Sequence, residues 1–250
     1  MTGKNYRVIA ERGLNIRSGP GRDFADLGDL ALGEEVISPD TSGWLPVLLQ
    51  DGTVGWLIQD FLQEISASQE PPGEAEEVDS GEAAPAAGGS NFSTKEETIQ
   101  SIIAACRVQG LTLPEQIAYV LATVEWETGR TFKPVKEAYW KSEAWRQANL
   151  RYFPFYGRGY VQLTWEANYR KYSQVSGKDL VGNPDLALDP QTALFILIHG
   201  FKTGAFTGKK ITDYINSEGV DFFNARRCIN GVDKAEEIAA LAEKHLETLP

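Results

Sequence analysis

Residues 114–137 read PEQIAYVLATVEWETGRTFKPVKE, and the fold of the C-terminal part of the chain turns on this stretch. Pro114 suits a first helical position, where its missing N–H costs no hydrogen bond. Ile117, Val120, Leu121 and Val124 then recur at i, i+3, i+4 and i+7, the spacing of one helix face. Tyr119, Ala122 and Trp126 fall on the other side, so the helix is apolar nearly all round and belongs in a core. Glu127 ends the helical pattern at the edge of its apolar stripe. Glu137 follows ten residues later, beyond Gly129 and Pro134, on a separate element. An acid partly withdrawn from water is suited to donate a proton near neutral pH. With a second carboxylate to activate water, it forms the minimum apparatus for cleaving a glycosidic bond. Two glutamates ten residues apart are ordinarily just solvated charges, so this reading needs support from the rest of the chain.

Outward from that stretch, the segment behind it is also helical. Ser93-Thr94-Lys95-Glu96 has the form of a capping box and predicts a helix to about Gln109. Ahead lie the aromatic turn YFPFYGRGYVQLTW and a short extended piece or helix start at Val161-Gln162-Leu163-Thr164-Trp165. Turns follow at Asn183-Pro184 and Asp189-Pro190, then a buried helix over 191–201 and an amphipathic helix over 234–249. Gly157-Arg158-Gly159 is too small for a phosphate loop, because neither GxGxxG nor GxxxxGK[ST] is present.

The N-terminal part has a different period. Short alternating segments from Tyr6 to Phe61, punctuated by Gly, Pro and Asp, predict a small β-barrel, with a hairpin turn at Asp51-Gly52. Between the two parts, residues 67–91 are rich in Pro, Gly, Ala, Ser and Glu and contain no aromatic, a composition that cannot bury a core. They read as a flexible acidic linker with a root-mean-square span of roughly 25 to 30 Å. The expected organisation is therefore multidomain: an all-β unit at 1–66, a linker at 67–91, and a mainly α unit at 92–250. The two folded units are expected to be tethered and not docked.

Composition narrows the function classes. The chain has 250 residues and a net charge of −11, with 35 acids against 24 bases; six of the acids and no base lie in 67–91. That balance disfavours nucleic acid and anionic membrane surfaces as partners, since both call for a basic face, and fits a neutral polymer better. No stretch approaches the roughly 18 to 20 apolar residues of a membrane span. The charged N-terminus lacks the apolar run of a Sec-type signal peptide. Cys106 and Cys228 stand 122 positions apart and read as buried free thiols. With only His199 and His245 and no HxxxH or CxxC spacing, a zinc centre is not expected.

Two resemblances complete the reading. Leu14-Asn15-Ile16-Arg17-Ser18-Gly19-Pro20, Gly33-Glu34, Gly43-Trp44 and Gly55-Trp56 resemble the bacterial SH3 domain, which implies a binding module for cell-wall peptide or glycan. Trp44 and Trp56 would then be either ligand-stacking rings or the barrel's own core and rim aromatics. Trp126-Glu127-Thr128-Gly129, the run Tyr156-Gly157-Arg158-Gly159-Tyr160-Val161-Gln162-Leu163-Thr164-Trp165, Asn168-Tyr169 and Ile229-Asn230-Gly231 are similar to motifs of glycoside hydrolase family 19, the lysozyme-like chitinases and endolysins. That resemblance implies an inverting enzyme that needs no metal or cofactor, with Glu127 as general acid, Glu137 as general base and Thr164 holding the attacking water. It also implies that Gln162, Asn168, Asn230, Trp165 and Tyr160 form the substrate-binding surface. Trp126 departs from the family's histidine, so any tuning of the acid must come from Glu125 or from burial. Tyr160 departs from its proline and is expected to alter the edge of the cleft. The implied substrate is peptidoglycan or chitin, attacked by a monomer that reaches the wall by a route other than Sec export. A non-catalytic wall-binding protein and a lytic transglycosylase are the alternatives.

Overall fold

A computed structural model describes residues 4–22, 24, 26–39, 43–49, 53–65 and 94–249. The expected linker 67–91 and the expected turn residues Asp51 and Gly52 lie outside them. The N-terminal unit is built from β1 (Lys4–Val8), β2 (Leu14–Arg17), β3 (Asp26–Leu30), β4 (Glu35–Ser38), β5 (Trp44–Leu48), β6 (Val54–Ile58) and β7 (Leu62–Ile65). They form two antiparallel sheets, in the orders β4-β1-β7 and β3-β2-β6-β5. The register of β5 with β6 runs from Trp44↔Ile58 to Leu48↔Val54, the pairing that the expected hairpin requires. Alternation supplies the core: Tyr6, Val8, Leu14, Ile16, Leu45, Val47, Leu57 and Leu62 point inward together.

The C-terminal unit is mainly helical: α1 (Lys95–Gln109), α2 (Pro114–Glu127), β8 (Val135–Lys136), α3 (Glu143–Asn149), β9 (Arg158–Gly159), α4 (Glu166–Ser176), α5 (Pro190–Thr203), β10 (Ile215–Asn216), β11 (Gly219–Val220), α6 (Phe222–Ala225) and α7 (Ala235–Thr248). The capping box falls one residue later than the sequence suggests. Thr94 accepts from the Glu97 N–H at 3.1 Å while Glu97 accepts from the Thr94 N–H at 2.9 Å. Two overlapping frames, Ser93–Glu96 and Thr94–Glu97, both satisfy the pattern, and only the backbone at the helix start decides between them. Residues 116–124 of α2 are all buried, and α7 lies along the helix. Cys106 and Cys228 are free and buried, and burial pushes the Cys228 thiol up to about 12, so neither ionises near neutral pH.

The expectation of two undocked units is corrected. α1 lies against β5 and β6, and Val54 and Trp56 join the same buried cluster as Ile102 and Ile103, with Trp44 packed at its margin. Trp56 is only 6% exposed. Both tryptophans therefore serve as packing between the β unit and α1. The cause is that β5 and β6 carry more apolar side chains than one face of a small sheet can bury, and the surplus is covered by the helix.

Candidate active site

Glu127 closes the last turn of α2, where the helix turns out of the core. Thr128 secures that turn: its hydroxyl donates to the Val124 carbonyl at 2.7 Å and accepts from the Phe132 N–H at 3.0 Å. The Glu127 side chain is 18% exposed, and its Oε1 accepts from Arg226 Nη1 at 2.7 Å. Arg226 is 5% exposed, and its Nε donates to the Asp233 carbonyl at 3.1 Å. The helical wheel showed Glu127 at the edge of an apolar stripe; it did not show a guanidinium seated on the carboxylate. The sequence reading also looked to Glu125 for tuning, and the structure corrects this. Residues two apart face different sides of a helix. Glu125 accordingly turns to α7, where Glu125 Oε2 lies 2.8 Å from His245 Nε2. Trp126 packs against the helical core.

Glu137 follows β8, which pairs antiparallel with β9 as Val135↔Gly159 and Lys136↔Arg158. Its backbone N–H donates to the Gly157 carbonyl at 2.7 Å. Its carboxylate is held at both oxygens: Tyr152 Oη donates to Oε1 at 2.6 Å and the Gly157 N–H donates to Oε2 at 2.9 Å. Burial, reinforced by the hydrogen bond to Glu137, pushes the Tyr152 phenol up to about 12, so Tyr152 remains a donor throughout the neutral range. Beneath the pair, Arg158 is buried and donates to the carbonyls of Pro154 and Tyr156 and to Tyr169 Oη. Asp185 receives Arg158 Nε at 2.8 Å and Lys136 Nζ at 2.7 Å, which ties both strands to the turn at 184–188. Burial works against that carboxylate, but the two cationic donors hold it below the usual range.

The motif run after β9 places its residues unequally. Gln162, at φ 53°, donates from Nε2 to the Val135 carbonyl at 3.1 Å and so braces the strand leading to Glu137. A Cβ at Gly157 would stand 2.7 Å from Gln162 Oε1, which explains that glycine. The Thr164 hydroxyl donates to the Gln162 carbonyl at 2.7 Å, which leaves its oxygen free to accept from a water. Asn168 Nδ2 donates to the Thr164 carbonyl at 2.8 Å. Trp165, at φ 74° and 45% exposed, sets its ring edge-on to Tyr152 at 4.9 Å. Glu137, Tyr152, Gln162, Thr164, Trp165 and Asn168 therefore form one connected group. Asn230 belongs to the other: its N–H donates to the Arg226 carbonyl at 3.0 Å, on the turn that supplies the partner of Glu127.

Tyr160 is the correction. It is 1% exposed within the helical core and cannot edge a cleft. Directly before it, Gly159 at φ +87° turns the chain, and this aromatic is spent on packing. Sequence reasoning missed Arg226 and Tyr152. Arg226 lies 99 positions from Glu127, and no local pattern announces such a partner. Tyr152 sits in an aromatic run where every ring suggests core. Five of the six non-glycine residues with positive φ among those described are Arg130, Phe132, Ala138, Gln162 and Trp165. They all lie in the loops that carry this site, where backbone strain commonly concentrates.

Comparisons with known proteins find chitinases. The model of the class I chitinases, glycoside hydrolase family 19, matches residues 122–206. A 50-residue stretch is 46% identical to the acidic 27 kDa endochitinase of Solanum lycopersicum, covering 20% of each protein. A 33-residue stretch is 58% identical to Chitinase 8 of Oryza sativa subsp. japonica, covering 13% of each. The chain thus matches a fifth or less of the length of these curated relatives. Among solved structures, chitinase C from Streptomyces griseus HUT6037 is similar at 22% identity and a TM-score of 0.49, covering 64% of this chain and 87% of that one. The segment that matches the family 19 model holds both glutamates and the whole group around Glu137, while Arg226 and Asn230 lie beyond it.

Proposed function

We propose that this protein is a glycoside hydrolase that cleaves β-1,4 bonds between N-acetylated sugars, in chitin or peptidoglycan, by an inverting acid/base mechanism. The observation that carries this reading is the pair Glu127 and Glu137 inside the family-matched segment, each on its own fixed scaffold. Glu127 protonates the leaving oxygen. Glu137, its two oxygens directed by Tyr152 and Gly157, takes the proton of a water that the Thr164 hydroxyl helps to orient. The water attacks the anomeric carbon from the face opposite the departing sugar, which places the two carboxyl groups roughly 6.5 to 9.5 Å apart when the glycan is bound. Trp165 supplies a ring face for a sugar, and Gln162, Asn168 and Asn230 supply amides. The β unit is read as an SH3-like wall-binding module, and peptidoglycan is the substrate that such a module favours. The protein would act on the wall as a monomer.

The test is hydrolysis of chitin oligomers and of purified peptidoglycan by the wild type, Glu127→Gln and Glu137→Gln. Each substitution is expected to lower kcat by about 10²- to 10⁴-fold, the usual contribution of a positioned acid or base. NMR should show product of inverted anomeric configuration. Equal rates for the wild type and Glu127→Gln would sink the enzymatic reading in favour of a binding protein. Products with anhydro-sugar ends would replace it with a lytic transglycosylase.

A further inference from the structure

Just after Glu137, inside the family-matched segment, the chain exposes two large rings that the proposed mechanism does not use. Tyr139 and Trp140 are each 70% exposed, more than any other large apolar side chain among the described residues. Their ring centroids stand 5.2 Å apart at 86°, so the two rings make a fixed corner. Exposed aromatics of this size usually belong to an interaction surface.

The backbone beneath them is built to hold that corner. Ala138 adopts φ 47°, a left-handed conformation that costs a residue other than glycine about 1 to 2 kcal/mol and persists only where its surroundings enforce it. The enforcing group is Arg146 on α3, 7% exposed, which donates from Nη1 to the Ala138 carbonyl at 2.9 Å and to the Glu137 carbonyl at 3.4 Å. Glu143 pairs with the same guanidinium at 3.0 Å, and the Lys141 N–H closes the turn on the Ala138 carbonyl at 2.8 Å. One buried cation therefore fixes both the backbone of Glu137 and the turn that lifts the two rings. Glu137 is joined to one aromatic pair, Tyr152 and Trp165, through its carboxylate, and to a second, Tyr139 and Trp140, through its backbone.

We propose that Tyr139 and Trp140 are a sugar-stacking subsite that holds the polysaccharide chain beyond the residues bound at Glu137, and that they set a preference for long chains. The inference rests on the glycosidase reading above and deepens it. The fit is chemical: a pyranose ring offers a face of C–H groups to an aromatic ring, and its hydroxyl and N-acetyl groups offer hydrogen bonds to polar neighbours such as Lys141. An uncharged glycan also suits a chain whose net charge is −11.

The experiment compares kcat/KM on a six-sugar and a three-sugar β-1,4-N-acetylglucosamine oligomer for the full-length wild type, Tyr139→Ala, Trp140→Ala and Trp140→Phe. Trp140→Ala should lower the ratio of long-chain to short-chain kcat/KM by about tenfold, equivalent to about 1.4 kcal/mol. Trp140→Phe, which keeps a ring and guards against loss of fold, should retain most of it. An unchanged ratio, or an equal loss on both lengths, overturns the proposal while leaving the hydrolase reading intact. In an inactive Glu127→Gln background, the six-sugar oligomer should change the tryptophan fluorescence, and Trp140→Phe should remove part of that change. Should the wild type bind the long oligomer with this signal and hydrolyse nothing, the subsite stands and the enzymatic reading falls. No fluorescence change with saturating oligomer would refute the subsite directly, and the rings would then be left for a protein partner.

Discussion

Replacing Arg226 by Met isolates the contact that sequence reasoning could not see. Arg226 and Glu127 are 5% and 18% exposed and 2.7 Å apart, so their charges interact with little screening by solvent. Removing one partner of a buried pair costs about 3–5 kcal/mol, because the remaining charge is left without compensation. The partial exposure of Glu127 favours the lower end of that range. Loss of the 3.1 Å bond to the Asp233 carbonyl adds about 1 kcal/mol. A net loss of about 3–4 kcal/mol corresponds to a fall in Tm of roughly 10 °C for a helical unit of this size. The direct measure is a double-mutant cycle with Glu127→Gln, read by urea unfolding. Arg226→Met alone should be far more damaging than Arg226→Met in the Glu127→Gln background, with a coupling energy of at least about 1.5 kcal/mol. A coupling below about 0.5 kcal/mol would show that the two side chains do not form this pair in solution. The structural account of Glu127 would then fail.

Other consequences are more local. Tyr152→Phe deletes the 2.6 Å bond to Glu137, a charge-assisted bond worth about 1.5–3 kcal/mol, and should lower kcat by roughly ten- to a hundredfold with KM nearly unchanged; an effect on KM alone would argue that Tyr152 only binds sugar. Gly159→Ala should destabilise by at least about 1–2 kcal/mol, since φ is +87° and the new Cβ would stand 2.9 Å from the Ala187 carbonyl oxygen; a wild-type Tm would refute this. Burial, and then Lys171 and Lys202, hold the His199 imidazole below its ordinary value of 6.5. The unfolded chain therefore takes up the proton more readily than the folded one as pH falls through about 6.5, and stability drops on that acid side. His199→Gln should flatten the slope of the urea midpoint against pH below about 6.5; an unaltered slope would assign the effect elsewhere.

Local signals were legible where a short stretch determines its own structure. The apolar period of 117–124, Pro114 at a helix start and the amphipathic C-terminal run all specify helices whose bounds the structure nearly reproduces. Glu127 was legible for the same reason, as the end of a helix. Glu137 was legible as a residue but not as a site, because its two donors, Tyr152 and Gly157, come from a loop 15 and 20 positions away. Tyr160 misled because a ring inside a polar motif is identical in sequence whether it faces a cleft or a core. Here the turn at Gly159 sends it inward. The packing of Trp44 and Trp56 on α1 was equally hidden, since alternation shows that a strand has an apolar face and not which element covers it.

The two carboxylates are held by different kinds of partner, and this difference bears on how acid and base could be told apart. Glu137 is fixed by two neutral donors, a phenol and a backbone amide, which direct both oxygens without supplying a charge. Such donors fix the direction of the carboxylate. Glu127 instead carries a cation on one oxygen. In the acid role proposed for it, Glu127 would take up its proton beside that cation. Arg226 is itself anchored, since its Nε donates to the Asp233 carbonyl while Nη1 makes the contact with Glu127. The pair thus fixes the direction of the Glu127 carboxylate. A neutral partner such as Gln at 226 could position Glu127 but would leave it without a counter-charge.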